Sequence, residues 1–101
     1  MNAQQRVAEF LAEHDMDADP AYRILDLASE VGELAKDVND STGYGDSPDD
    51  VAVHVDEVGD ALFALLAAAE SLDVDAEAAL DEALAKYEGR IEDSGDPGSG
   101  A

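Results

Sequence analysis

Two short stretches of this chain place carboxylates where a pair could share a divalent cation: Glu30-Val31-Gly32-Glu33 and Glu57-Val58-Gly59-Asp60. Acids three apart on a helix stand on one face. That spacing alone carries no weight. Six such pairs occur, and 26 acids scattered over 101 positions would give as many by chance. Context separates these two from Asp37/Asp40, Asp46/Asp49, Glu70/Asp73 and Asp93/Asp96. They are near copies, and each sets a glycine inside a strongly amphipathic helix, where it costs about 1 kcal/mol relative to alanine. Each glycine lies roughly opposite its acid pair, which predicts a neighbouring helix packed closely behind the site. Val53 and Ala64 are expected above and below Glu57 and Asp60 on the same helix face. Acids in so apolar a lane are expensive unless a cation matches them. The corresponding lane on the other helix holds Asp26, Glu30, Glu33 and Asp37 and reads more like a wet surface.

Set side by side, the two turns would gather Glu30, Glu33, Glu57 and Asp60 in one small volume. Four acids so close must take up protons or metal. All-oxygen ligation selects a hard ion, Mg2+ or Mn2+, and Mg2+ commonly completes its shell with waters and substrate phosphates. The chemistry implied is hydrolysis of a phosphate ester or anhydride, with the ion offsetting phosphate charge and acidifying a bound water.

The elements that must hold these acids are helices. Val7, Phe10 and Leu11 give a modest amphipathic helix from Asn2 to about His14. Asp19-Pro20 signals the start of a second, running to about Asn39 with Ile24, Leu27, Val31, Leu34 and Val38 as its stripe. Ser41 to Ser47, with two glycines and no periodicity, is a loop. Ser47-Pro48-Asp49-Asp50 repeats the start signal and predicts a third helix to about Leu72, with Val51, Val55, Val58, Leu62, Leu65 and Ala69 aligned. Asp75 caps a fourth, carrying Ala79, Leu80, Ala83, Leu84, Tyr87 and Ile91. No stretch alternates long enough for a convincing strand. The fold class is all-α, a bundle of a short first helix and three longer ones. Residues 1–93 form a single domain, and 94–101, rich in Gly, Ser, Asp and Pro, form a tail expected to be disordered. From Ala61 to Ala69 the third helix is apolar all round, so it should be buried all round. Four short helices cannot easily enclose it, which predicts a bundle completed by homodimerisation.

Composition sets the outer bounds. The formal charge is -21, from 26 acids against 5 Lys and Arg. Such a surface repels phosphodiester polymers and anionic membranes, so neither is an expected partner. No apolar run approaches the roughly 20 residues that span a bilayer, and no basic, apolar leader opens the sequence. With no cysteine there is neither a disulfide framework nor a thiolate metal site; the default location is cytoplasmic. The acid excess reads as a surface adapted to high salt, a halophilic trait, since molar salt shortens the Debye length to about 3 Å and screens the self-repulsion.

The paired motifs, in this order and spacing, resemble the signature of the all-α nucleotide pyrophosphohydrolases of the MazG type. The resemblance includes the flanking Glu-Val-Gly-Glu-Leu-Ala-Lys and Glu-Val-Gly-Asp-Ala-Leu-Phe. It continues through the Leu-Asp-Val-Asp turn into the last helix and covers most of residues 20 to 91. It implies hydrolysis of a nucleoside triphosphate between the α and β phosphorus, giving monophosphate and pyrophosphate and removing non-standard or surplus nucleotides. It also implies Mg2+ dependence and a dimer or dimer of dimers. By position, Glu30, Glu33, Glu57 and Asp60 would be the catalytic metal ligands, one of them orienting the attacking water. Two positions depart from the family's pattern: Ser29 stands where many members carry a further acid, and Glu70 where a polar amide is common. Phosphoribosyl-ATP pyrophosphohydrolase shares the architecture and the bond cleaved. A non-catalytic helical interaction module is the rival of another class.

The few cations are conspicuous in so acidic a chain. Lys86 and Arg90, four apart on the last helix, could contact substrate phosphate, as basic residues there do in the resembling family; pairing with Glu82 or another subunit is equally open. Lys36 could touch phosphate, although an intrahelical pair with Asp40 fits better, and Arg23 is similar. His14 and His54 are read as solvent-facing or partly packed, and Tyr44 as a plain loop aromatic.

Overall fold

The computed structural model describes residues 2–98. The first helix, α1 (Ala3–Glu13), is opened by a reciprocal cap in which Asn2 Oδ1 accepts from the Gln5 amide and Gln5 Oε1 from the Asn2 amide, both at 2.9 Å. The second, α2 (Pro20–Thr42), begins with proline at its first position, as the sequence predicts. It runs three residues beyond Asn39. Ser41 and Thr42 turn their hydroxyls back onto the carbonyls of Asp37 and Val38, so the helix continues until Gly43 can take the left-handed conformation, at φ 60°.

The third helix starts later than expected. Ser47-Pro48 opens only a single 3-10 turn, Pro48–Asp50, and α3 proper is Val55–Ser71. Side chains on the last turns of α2 explain the difference. Ser41 Oγ accepts the Ala52 amide at 2.9 Å and Asp37 Oδ2 accepts the His54 amide at 3.1 Å, holding the intervening chain extended. Val51 and Val53 therefore leave the apolar stripe, both are exposed, and Val53 does not lie beside the acids on a helix face. Asp75 caps α4 (Ala76–Ser94) by accepting from the Glu77 and Ala78 amides. Ser94, read as the start of a tail, is the last residue of α4. Positions 99–101 of that tail lie outside the described residues.

Among the described residues there are four α-helices and no strand. α2 and α3 pack as an antiparallel pair, and α1 packs on α3, with Phe10 and Phe63 edge to face at 5.9 Å. The buried apolar core is Ala64, Leu66, Ala67, Ala68 and Ala69. Alanine is small enough to let the α2 and α3 backbones approach, but it buries little area per residue. Arg23, also buried, donates from Nη2 to the Met16 carbonyl and ties the α1–α2 connection down, so its role is structural. No helix among the described residues is long and apolar enough to cross a membrane.

α4 makes only marginal contact with the other helices. Leu80, Leu84 and Ile91 stay about half exposed, as do Leu62 and Leu65 on α3, so the helix expected to be buried all round keeps an open face within the chain. The radius of gyration is 16.4 Å, against about 13 Å for a compact chain of 100 residues. The accessible surface is 7289 Å², where a compact monomer of 10.6 kDa would show about 5,500 Å².

One side chain of α1 clamps the turn that leads into α4. Gln4 Nε2 donates to the Val74 carbonyl and its Oε1 accepts the Ala76 amide, each at 2.7 Å. Replacing Gln4 with alanine should remove both bonds and cost about 0.5–1.5 kcal/mol, read as a lower midpoint in thermal or urea unfolding. An unchanged midpoint would show that the clamp contributes nothing.

Candidate metal centre

α2 presents Glu30, Glu33 and Asp37 at steps of three and four, along one face. α3 presents Glu57 and Asp60. Because the two helices are antiparallel, the rows meet in reverse order. The charge of Asp60 acts on Glu30, that of Glu33 on Glu57, and Asp37 reaches Glu57 at the other end. The lane on α2 that reads as wet surface is therefore the one facing α3: Glu30 and Asp37 are half-buried, although Glu33 remains exposed. On α3, Glu57 is half-buried and Asp60 exposed.

Electrostatics in this row follow from enforced proximity. Glu30 is raised above the ordinary carboxylate range, first by burial and then by the charges of Asp60, Asp26 and Glu33. As a carboxylate, Glu57 leaves Oε2 buried without a hydrogen-bond partner. As the neutral acid it donates to Asp37. That bond is the largest reason its pKa rises from 4.5 to about 7, followed by burial and the Asp37 charge, against the opposing pull of His54. Asp37 moves the other way, below its ordinary value. The bond from Glu57 does most, and the His54 backbone amide and ring add to it.

His54 stands where the two rows end. Its Nδ1 is 3.0 Å from Asp37 Oδ2 and 3.9 Å from Glu57 Oε2, while 75% of its side chain remains exposed. Its pKa is raised, first by the hydrogen bond to Asp37 and then by the charges of Asp37 and Glu57. Asp37 and His54 are the residues that sequence reasoning missed. For Asp37 the signal was present, one turn beyond Glu33 on the same lane. For His54 it was masked by the expectation that the helix begins at Pro48.

The cations do not join this cluster within the chain. Lys86 and Arg90 lie over the Tyr87 ring at 4.9 and 5.8 Å on the outlying α4, and Arg90 also donates to the Pro97 carbonyl. Lys36 is exposed on α2. Among the described residues it makes no ion pair with Asp40, nor does Lys86 with Glu82. His14 tilts over Phe10 at 4.5 Å, and Tyr44 is an exposed loop aromatic. α1 lies on the Gly59 side of α3, across an open groove lined by Ala3, Val7, Phe10 and Gly59, but neither glycine is in close contact. A Cβ at Gly32 or Gly59 would meet nothing within 4 Å.

Of these groups, Asp37, His54 and Glu57 bring ligand-type atoms within 4.8 Å of one another, whereas Glu30, Glu33 and Asp60 stand outside that set within the chain. A divalent cation would relieve the orphaned oxygen of Glu57 and the mutual repulsion of Glu30 and Asp60, and carboxylate donors fit a hard one. Without a divalent cation, stability should fall as pH rises. A folded-state pKa of about 7 against 4.5 for Glu57 means that the fold binds this proton more tightly than the unfolded chain. Its contribution is full below 4.5 and gone above about 7. His54, raised above 6.5, adds in the same sense as pH climbs through its raised value. In chelator, Glu57→Gln should melt above the parent at about pH 8 and converge with it at about pH 4. Thermal melts at both values check this, and a parent that melts with the variant at the higher pH would contradict it.

Comparison with known proteins identifies the family. The MazG nucleotide pyrophosphohydrolase domain matches residues 20–94. A relative from Bacillus subtilis (strain 168), named only as the uncharacterized protein YpjD, is 38% identical over 79 residues, covering 73% of this chain and 68% of its own. No solved structure matches.

Proposed function

The chain belongs to the MazG nucleotide pyrophosphohydrolase family, and from that membership we propose that it is a Mg2+-dependent nucleoside triphosphate pyrophosphohydrolase. Water would attack the α phosphorus, the bond from that phosphorus to the α–β bridging oxygen would break, and pyrophosphate would leave beside the monophosphate. The observation that carries the reading is the facing of the two acid rows, with a Glu57 oxygen buried and unpartnered between them. Glu30, Glu33, Glu57 and Asp60 would hold Mg2+, which when bound offsets phosphate charge and acidifies water. One of the four would orient the attacking water. The family also points to phosphate contacts by Lys86 and Arg90, which the outlying α4 would deliver only in an assembly.

A homodimer, or a dimer of dimers, completes this reading. The half-exposed row of Leu80, Leu84 and Ile91 adjoins an open apolar groove lined by Ile24, Leu65, Ala68, Leu72 and Leu80. The surface in excess of a compact monomer is about 1,800 Å², well above the roughly 800 Å² per partner of a standard interface. The wild type should sediment at no less than twice 10.6 kDa, and Leu84→Asp should shift it to monomer. A wild type that runs as monomer at micromolar concentration would remove the dimer.

Activity is tested with a panel of nucleoside triphosphates in Mg2+ and molar KCl, reading pyrophosphate against phosphate. The acid surface makes high salt the proposed working condition, as in a halophilic cytoplasm. Glu57→Gln and Asp60→Asn should lower turnover by about 100-fold or more, with helical content retained. Turnover of phosphoribosyl-ATP alone would place the chain with that enzyme. No turnover, together with Mg2+ binding unchanged in both variants, would leave a non-catalytic helical module.

A further inference from the structure

The ligand-type atoms that the described residues bring together, all within 4.8 Å of one another, are those of Asp37, His54 and Glu57. We propose that this trio is a distinct cation position at the His54 end of the acid rows, binding a first-row transition ion such as Mn2+ through an imidazole nitrogen. The proposal stands without the pyrophosphohydrolase reading and shares with it only Glu57.

Three observations support it. The first is spacing: adjacent donors around an octahedral ion, each at about 2.1 Å, lie about 3.0 Å apart, and His54 Nδ1 is 3.0 Å from Asp37 Oδ2. Glu57 Oε2, at 3.9 Å from Nδ1, stands at a wider angle on the same side. The second is that Glu57 Oε2, once the group is ionised, is buried without a hydrogen-bond partner. The third is fixation. Asp37 Oδ2 also accepts the His54 backbone amide at 3.1 Å, so residue 54 carries both the imidazole and the donor that orients its carboxylate neighbour.

Access and selectivity follow from burial and donor type. The Asp37 and Glu57 side chains are only 12% and 21% exposed, whereas that of His54 is 75% exposed. An ion would enter from the His54 side and keep waters there. Nδ1 must be free of its proton to bind the ion. Imidazole suits Zn2+, Fe2+ and Ni2+ better than Mg2+, and carboxylates suit Mn2+. The mixed set therefore discriminates against the ion that the all-oxygen position would favour.

With a formal charge of -21 the chain attracts any divalent cation, so the test must report nitrogen specifically. Mn2+ is added to the full chain in molar KCl with excess Mg2+, and bound Mn2+ is followed by electron paramagnetic resonance with echo-modulation detection of directly bonded 14N. Wild type should retain one Mn2+ per chain that carries nitrogen coupling. His54→Asn, which keeps a favourable residue at the helix cap, should lose that coupling and bind Mn2+ about tenfold or more weakly. Asp60→Asn should keep the coupling, separating this position from the proposed hydrolytic one. Wild-type Mn2+ without nitrogen coupling, complete displacement by Mg2+, or equal Mn2+ affinity in His54→Asn would each overturn the proposal. The first of these is read on the unaltered protein and does not depend on how any variant folds.

Discussion

The close approach of α2 and α3 is the constraint from which the rest of this structure follows. Ala64, Ala67 and Ala68 are almost wholly buried between neighbouring helices, and side chains this small hold backbones near each other. On the adjoining face the same nearness brings Glu30 toward Asp60 and Glu57 against Asp37. These acids cannot separate without opening the alanine contact, so their repulsion is relieved by taking up protons or by binding a cation. Packing and chemistry are thus two faces of one helix pair. The family to which the chain belongs acts on nucleotides, whose phosphates are commonly handled together with such cations.

Much of this was legible in the sequence, because the signals are local. Asn2, Pro20 and Asp75 mark helix starts through chemistry confined to one turn, and all three start helices in the structure. The two Gly-bearing motifs predict facing acid turns, and antiparallel packing brings them face to face. The illegible parts depend on contacts between distant positions. Nothing near Pro48 reveals that Ser41 and Asp37 will capture the amides of Ala52 and His54 and delay α3 until Val55. His54 became invisible for the same reason, as its position relative to the acids depends on where that helix begins. Asp37 was visible on the lane, but counting acids could not distinguish it from the wet positions beside it.

The glycines and α4 show a different limit. Gly32 and Gly59 have open space where a Cβ would stand, so their cost in helix propensity has no return within a single chain. α4 keeps an apolar row uncovered, and the molecule is broader than its length requires. Amphipathic periodicity specifies an apolar face without specifying what covers it.

Asp37 serves two structural masters at once. Its Oδ2 receives the amide and the ring nitrogen of the same residue, His54, so one carboxylate both ends the loop and faces the cluster. Substitutions at these two positions therefore differ in consequence. A lineage that loses the acid at 37 frees the amide at 54 and removes the imidazole's neighbour in a single step, and a lineage that exchanges the histidine keeps only the backbone half of the arrangement. The acid at 37 is thus the less replaceable of the two, because it alone serves both contacts.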